Sequence, residues 1–196
     1  SIKIPDSVIT ISDDAFLNCN DLTIIELPVS LKSIGEGAFF NCARLNNVYY
    51  TGDVEGWLGI AFKGLSVYSS PTSNGVNLYF KNELVTDVVI PDSVTRIGRL
   101  AFYNYKLLTS VVIPDSVTSI DERAFKQCSS LISIEIPNSV TSIGDNSLAD
   151  CDSLISIEIP TSVRSIKDYA LAWCDSLTSI NFGGTIEQWN AITKDT

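Results

Sequence analysis

A 23-residue period runs through most of the 196-residue chain. With proline as position zero, Pro5, Pro28, Pro91, Pro114, Pro137 and Pro160 fall in one column. Position 2 is then always serine (Ser7, Ser30, Ser93, Ser116, Ser139, Ser162) and position 6 always isoleucine (Ile11, Ile34, Ile97, Ile120, Ile143, Ile166). Position 17 is always leucine (Leu22, Leu45, Leu108, Leu131, Leu154, Leu177). A fixed period of this length marks a solenoid, because one repeat cannot bury its apolar side alone and must stack on its neighbours. Such an array grows its core with its length, so residues 1–196 are expected to form one domain.

Each copy reads as one coil. Leu131, Ile134, Ile136 and Pro137 exemplify the Leu-x-x-Ile-x-Ile-Pro segment. Its alternation predicts a strand with Ile134 and Ile136 inward and Ser133 and Glu135 outward. Proline ends the strand, since it has no amide hydrogen for a ladder, and Pro-Asp-Ser (114–116) has turn chemistry. Val117 and Ile120 form a second extended piece, and the spacing of Ala124, Phe125 and Cys128 suits one helical turn. Asn18, Asn41 and Asn104 at position 13 tolerate the left-handed conformation that ends such a turn. Asp13, Glu36, Glu122, Asp145 and Asp168 stand where a carboxylate can cap its first amides.

Cys19, Cys42, Cys128, Cys151 and Cys174 all occupy position 14, where the remaining copy has Tyr105. Zinc sites draw ligands from close pairs, and the chain has no histidine. Equivalent residues of adjacent coils lie about 4.8 Å apart, but their parallel side-chain vectors do not suit a disulfide. The column is therefore read as small buried hydrophobes, and neither a metal nor any other cofactor is expected. A calcium site built from stacked aspartates is the alternative, though no EF-hand or nonapeptide pattern accompanies it.

A net charge of −10 argues against nucleic acid and against anionic membrane surfaces. No apolar run approaches the ~18 residues of a membrane span. The first residues, Ser1-Ile2-Lys3-Ile4, match Ser133-Ile134-Glu135-Ile136, so the chain is expected to be a fragment that begins inside a repeat.

Between Pro28 and Pro91 lie 63 residues, 17 more than two periods. Regular coils are expected over 1–50 and 91–182, an insertion at 51–67, and a degenerate coil at 68–90 with Tyr79 at the phenylalanine position. Tyr50–Ile60, with Trp57, resembles Phe182–Ile192, with Trp189, and each segment should begin a short helix capped by Asp53 or Thr185. The two tryptophans either cover an apolar edge of the solenoid, with 183–196 as a C-terminal cap, or the 51–67 segment is a recognition loop.

At the columns Leu-x-x-Ile-x-Ile-Pro-x-Ser-Val-x-x-Ile-Gly-x-x-Ala-Phe-x-x-Cys the chain resembles the BspA-like leucine-rich repeats over nearly all of its length. Tyr105 for Cys, Asp121 and Lys167 for Gly, and Leu148 and Leu171 for Phe are among its departures. The resemblance implies a right-handed leucine-rich-repeat solenoid of the α/β horseshoe type, predominantly β, with a parallel concave sheet and short helical turns on the convex side. It further implies a secreted or cell-surface protein of mucosal bacteria or some protists, associated with adhesion to host proteins or other cells.

An enzyme is not expected, because histidine and phosphate-cradling glycine loops are missing and the cysteines belong to one column. Recognition by the concave sheet is the leading expectation, with a protein or glycan ligand such as extracellular matrix or another cell surface. Its site residues are Glu26, Asn47, Tyr49, Glu135 and Glu158, all at outward positions, together with the 51–67 insertion. Tyrosine among small polar residues supplies contact area at low entropic cost, and Tyr49 adjoins the insertion. A passive spacer that displays another module is the alternative.

Overall fold

The computed structural model describes residues 1–194. The period-2 alternation makes a strand in every regular coil, whether or not a proline follows: Ile2–Lys3, Ile24–Leu27, Asn47–Tyr50, Asp87–Val89, Ser110–Val112, Ser133–Ile134, Ser156–Ile159 and Ser179–Phe182. Their partners are parallel and in register, as in Ile25↔Val48, Val111↔Ile134 and Ile157↔Ile180. The inward residues Ile25, Leu27, Ile134, Ile136, Ile157 and Ile159 are buried. Across the core, two-residue strands at positions 5 and 6 form a second parallel ladder, in which Ser119–Ile120 pairs with Arg96–Ile97 and with Ser142–Ile143. Leucine, phenylalanine, alanine and cysteine columns fill the space between the two ladders.

The columns also carry hydrogen bonds from coil to coil. Ser30, Ser116, Ser139 and Ser162 each donate to the position-3 carbonyl of the coil before (Val8, Val94, Val117, Val140) at 2.6–2.8 Å. Cys42, Cys128, Cys151 and Cys174 donate to Phe16, Phe102, Phe125 and Leu148 oxygens at 3.1–3.3 Å. Serine thus serves less as a local turn former than as a clamp on the preceding coil, and the five thiols are free. Coils approach closely enough that a Cβ on Gly144 would stand 2.7 Å from the Asp121 carbonyl carbon.

The convex piece departs from the expected helical turn. It is a string of hydrogen-bonded turns in which alternate amides reach the next coil: Arg123, Phe125 and Gln127 donate to Asp145, Ser147 and Ala149 oxygens. A continuous helix would direct those amides along its own axis, and the stacked neighbour would go unbonded. Position 13 is left-handed, as expected, but so is position 9, and Leu100, Arg123, Tyr169 and Trp173 adopt φ of 54–60° there and at position 13. Of the position-8 carboxylates, Asp13 and Glu36 likewise act between coils and not on their own turn, whereas Glu122 pairs both with Arg99 of the preceding coil and with its neighbour Arg123. Asp13 accepts from the Glu36 amide at 2.7 Å, and Glu36 accepts from Leu65 and Ser66 at 3.1 Å.

The 17 surplus residues occur in two parts. Asn47 pairs with Asn77 and Tyr49 with Tyr79, so one coil spans 30 residues, seven more than the period. The Asn77–Phe80 strand then folds back through Lys81 and Asn82, both left-handed, onto Glu83–Leu84, and the chain enters the Asp87–Val89 strand. Leu78 and Val88, the inward residues of two successive parallel strands of the concave face, are only ten apart, and this short return accounts for the other ten. Tyr79 therefore belongs to the concave sheet and not to the phenylalanine column. The Ala61–Phe62 strand of the second ladder lies inside the expected insertion, because the backbone of the preceding coil needs a partner there as elsewhere.

The concave sheet consequently divides: Glu83–Leu84 closes one half, and Asp87–Val89 begins the other. Large side chains join the halves across this seam. Trp57, on the Val54–Leu58 helix capped by Asp53, is wholly buried against Tyr50, Phe62 and Phe80. Its Nε1 donates to the Ala101 oxygen at 2.7 Å, in the first coil beyond the seam. Tyr105 replaces cysteine at this place because its longer side chain reaches across, and its hydroxyl donates to the Val85 carbonyl.

Titration in denaturant should give five thiols, while wholly buried Cys42, Cys128 and Cys151 react slowly in the folded protein; fewer than five would mean cross-linked cysteines. Tyr105→Phe orphans the buried Val85 carbonyl and should cost about 1–3 kcal/mol by denaturant unfolding. Burial pushes the Tyr105 hydroxyl up to about 12, and burial followed by nearby Asp53 does the same for Tyr50. Burial also raises the Cys128 and Cys151 thiols. In each case the folded state keeps the neutral form and the unfolded chain ionises first. Stability should be fully present below the unfolded thiol range near pH 8.5 and fall as pH rises through about 10 toward 12. Flat stability across that window would contradict the buried columns.

Candidate functional site

Outward residues of the concave sheet form two rows. One runs Lys3, Glu26, Tyr49, Tyr79 and Leu84 through register pairs, and beyond the seam continues as Val89, Val112, Glu135, Glu158 and Asn181. The other holds Ile24, Asn47 and Asn77, then Asp87, Ser110, Ser133, Ser156 and Ser179. Period-2 alternation places both rows on the face away from the core.

Three of the five expected site residues come together before the seam. The Glu26 carboxylate pairs with the Lys3 ammonium, a hydrogen bond and charge contact that raise the Lys3 pKa. Asn47 accepts from Asn77 Nδ2 at 3.0 Å and donates to Asn46 at 3.2 Å. Tyr49 stacks on Tyr79 with ring centroids 4.3 Å apart and planes 13° from parallel. Such a pair is worth about 0.5–1.5 kcal/mol beyond its buried area and presents a rigid aromatic surface. Glu135 and Glu158 lie apart from these, exposed on adjacent strands. With Asp115 and the prolines at 114, 137 and 160 they line an open groove of about 470 Å³.

Sequence reasoning missed Asn77, Tyr79, Leu84 and Val89. The sequence does carry a signal for the first two: Asn47-Val-Tyr-Tyr50 recurs as Asn77-Leu-Tyr-Phe80, a likeness hidden by its 30-residue spacing. Leu84 shares the face of Tyr79 because directly opposed residues of an antiparallel pair point the same way. Val89 and Val112 are 68% and 57% exposed. Aromatic and aliphatic side chains thus occupy the middle of the face, flanked by amides and hydroxyls and, farther along, by carboxylates.

At the seam itself Asp53, Val54, Phe80, Lys81, Glu83, Leu84, Asp87 and Val89 surround a cleft of about 320 Å³. Lys81 bridges to Asp53 at 3.0 Å and holds that carboxyl below its ordinary value. The Ser110, Thr109 and Thr86 hydroxyls likewise lower the Asp87 carboxyl. Among the described residues, no three of His, Cys, Asp and Glu are grouped to hold a metal ion, and no helix is long and apolar enough to cross a membrane. The arrangement offers surface recognition: rigid rings, backbone edges and fixed carboxylates.

No curated protein matches the chain. Among solved structures it is similar to a leucine-rich cell-surface protein from Faecalibacterium prausnitzii, with a TM-score of 0.53 and 19% identity, covering 99% of this chain and 90% of that one. It is also similar to a leucine-rich repeat protein from Eubacterium ventriosum, with a TM-score of 0.52 and 19% identity, covering 91% of this chain and 64% of that one. Both likenesses concern the fold. The family model for the BspA type leucine-rich repeat region, in six copies, matches residues 1–77 and 72–192. Through that match and the ladders that produce it, the chain belongs to the BspA-type leucine-rich repeat family.

Proposed function

We propose that the chain is a non-catalytic recognition module of a secreted or cell-surface protein, which binds a protein or glycan ligand with its concave face. The observation that carries this reading is the contiguous patch of Tyr49, stacked on Tyr79, with Leu84 beside it and Val89 and Val112 across the seam. Its apolar centre and its rim of Asn47, Asn77, Ser110 and Glu26 have the anatomy of an interaction surface. Stacked rings are already ordered, so a ligand immobilises little on binding them. Display outside the cell is supported by the Faecalibacterium relative, described as a cell-surface protein. Glu135 and Glu158 would extend the contact toward a basic part of the ligand.

The 51–67 segment has a mainly supporting role in this reading. Trp57 and Phe62 lie in the core, which leaves Asp53 and Val54 as its contribution to the face. An immobilised panel of extracellular-matrix proteins and mucin glycans, probed with the wild type and with Tyr49→Ala, Tyr79→Ala and Glu26→Gln, tests the placement. The tyrosine variants should weaken capture by about tenfold or more, the equivalent of 1.4 kcal/mol, with melting temperatures little changed. Undiminished capture by both tyrosine variants would refute the concave placement. A panel without hits, combined with function that depends on array length, would favour the spacer.

A further inference from the structure

Backbone alternation makes the seam a place of unpaired main chain. In a parallel ladder a residue directs its N–H and C=O to one neighbour, and the next residue directs them to the other. The Thr86 oxygen accepts from Thr109 and the Ile90 amide donates to Val112, so residues 86, 88 and 90 face the following coil. Asp87 and Val89 therefore direct their backbone groups the opposite way, into the cleft. In the hairpin, the Val85 amide donates to Leu78 and Phe80 opposes Glu83, so Leu84 directs its groups away from Asn77–Phe80, toward the same cleft. Elsewhere along the sheet these positions meet another coil. Here, among the described residues, neither Glu83–Leu84 nor Asp87–Val89 has a strand on its second side.

The walls add side-chain chemistry. Leu84 and Val89 are exposed aliphatic residues at its rim, and Phe80 and Val88 form apolar lining. Three carboxylates, Asp53, Glu83 and Asp87, stand against the one ammonium of Lys81, in a chain whose net charge is −10. We propose that the seam cleft binds an extended peptide segment of a partner protein, which adds as a strand to the Asp87–Val89 edge and alternates aliphatic with basic side chains. Main-chain hydrogen bonds to Asp87 and Val89 provide the docking. Aliphatic side chains of the segment meet Leu84, Val89 and Phe80, and its lysines or arginines meet Glu83 and Asp87. This is strand addition, a mode in which backbone bonding gives affinity and alternate side chains give selectivity.

The inference deepens the concave-face reading and rests on it; the two share Leu84 and Val89, but the tyrosine stack lies outside the cleft and the unpaired backbone edge lies within it, so the two can fail separately. The probe is an acetylated, amidated alternating valine–lysine peptide, with a valine–glutamate counterpart and a valine–lysine version whose alternate amides are N-methylated. Binding should be strong only for the first and should fall with added salt. Hydrogen exchange should show new protection at the amides of Leu84, Asp87 and Val89. Val89→Pro removes an amide that the ladder to the following coil does not use, so the fold tolerates it at this edge, and it should weaken binding by about tenfold. Asp87→Lys, a second variant in case Val89→Pro perturbs folding, should shift preference toward the valine–glutamate peptide. Tyr49→Ala should leave peptide binding unchanged. Absent binding, equal binding of the N-methylated peptide, or unaltered protection at those three amides would overturn strand addition, while tyrosine-dependent capture of a matrix ligand would still stand.

Discussion

Coil-to-coil hydrogen bonding is the constraint on which the rest of this structure depends. A single coil has nearly all of its backbone polar groups directed along the solenoid axis, where only another coil can meet them. Two strand ladders, the alternate amides of the convex turns and the serine and cysteine side chains all reach one period away. A change in coil length moves every one of these partners at once, which is why the period persists through so many copies. Residues that serve the ladders have no freedom left for recognition. Outward residues of the concave sheet do, and along them composition changes from tyrosine and asparagine to valine, serine and glutamate.

The seam shows what happens when the period is violated. A 30-residue coil followed by a ten-residue return puts two successive concave strands out of ladder contact. Side chains take over what the backbone no longer does. Trp57 spans the gap with a buried ring and an indole hydrogen bond, and Tyr105 reaches the hairpin carbonyls that a cysteine could not. Gly56 has no side chain because the Tyr50 hydroxyl occupies the place: a Cβ there would stand 2.4 Å from it. Aromatic residues concentrate at the seam for a mechanical reason, since they are long enough to join coils that the main chain leaves apart, and Arg99 and Asn104 join the same coils by donating to the Leu65 and Ser73 oxygens.

Much of the fold was legible in the sequence because its cause is periodic. Proline, leucine and isoleucine columns indicate strand ends and inward faces, and the cysteine column indicates a buried site. Conformation on the convex side was legible only in part. Asparagine at position 13 signals left-handed backbone, but Leu100, Arg123, Tyr169 and Trp173 take the same conformation without that signal. Each pays about 1–2 kcal/mol for it, and the inter-coil bonds offset that cost, a tertiary effect that local propensity does not report. Of the candidate face, Tyr49, Glu26 and Asn47 could be read from their register with the repeat. Tyr79 was hidden, because a fixed 23-residue spacing puts it in the phenylalanine column, and only the likeness of 77–80 to 47–50 at a 30-residue spacing marks it and Asn77.

The same logic explains why the candidate site and the irregular segment coincide. Within a regular array every main-chain group and every inward side chain is committed, so recognition is limited to what outward side chains can do. At the seam the commitment lapses on two edges, leaving backbone donors and acceptors beside exposed leucine and valine and beside carboxylates that their hydroxyl and ammonium neighbours keep ionised. Exposed strand edges are an aggregation hazard unless they are short, charged or covered. These edges are two and three residues long and are bordered by Glu83 and Asp87, features that discourage pairing between copies of this acidic chain. The same features leave the edge open to a strand of opposite charge.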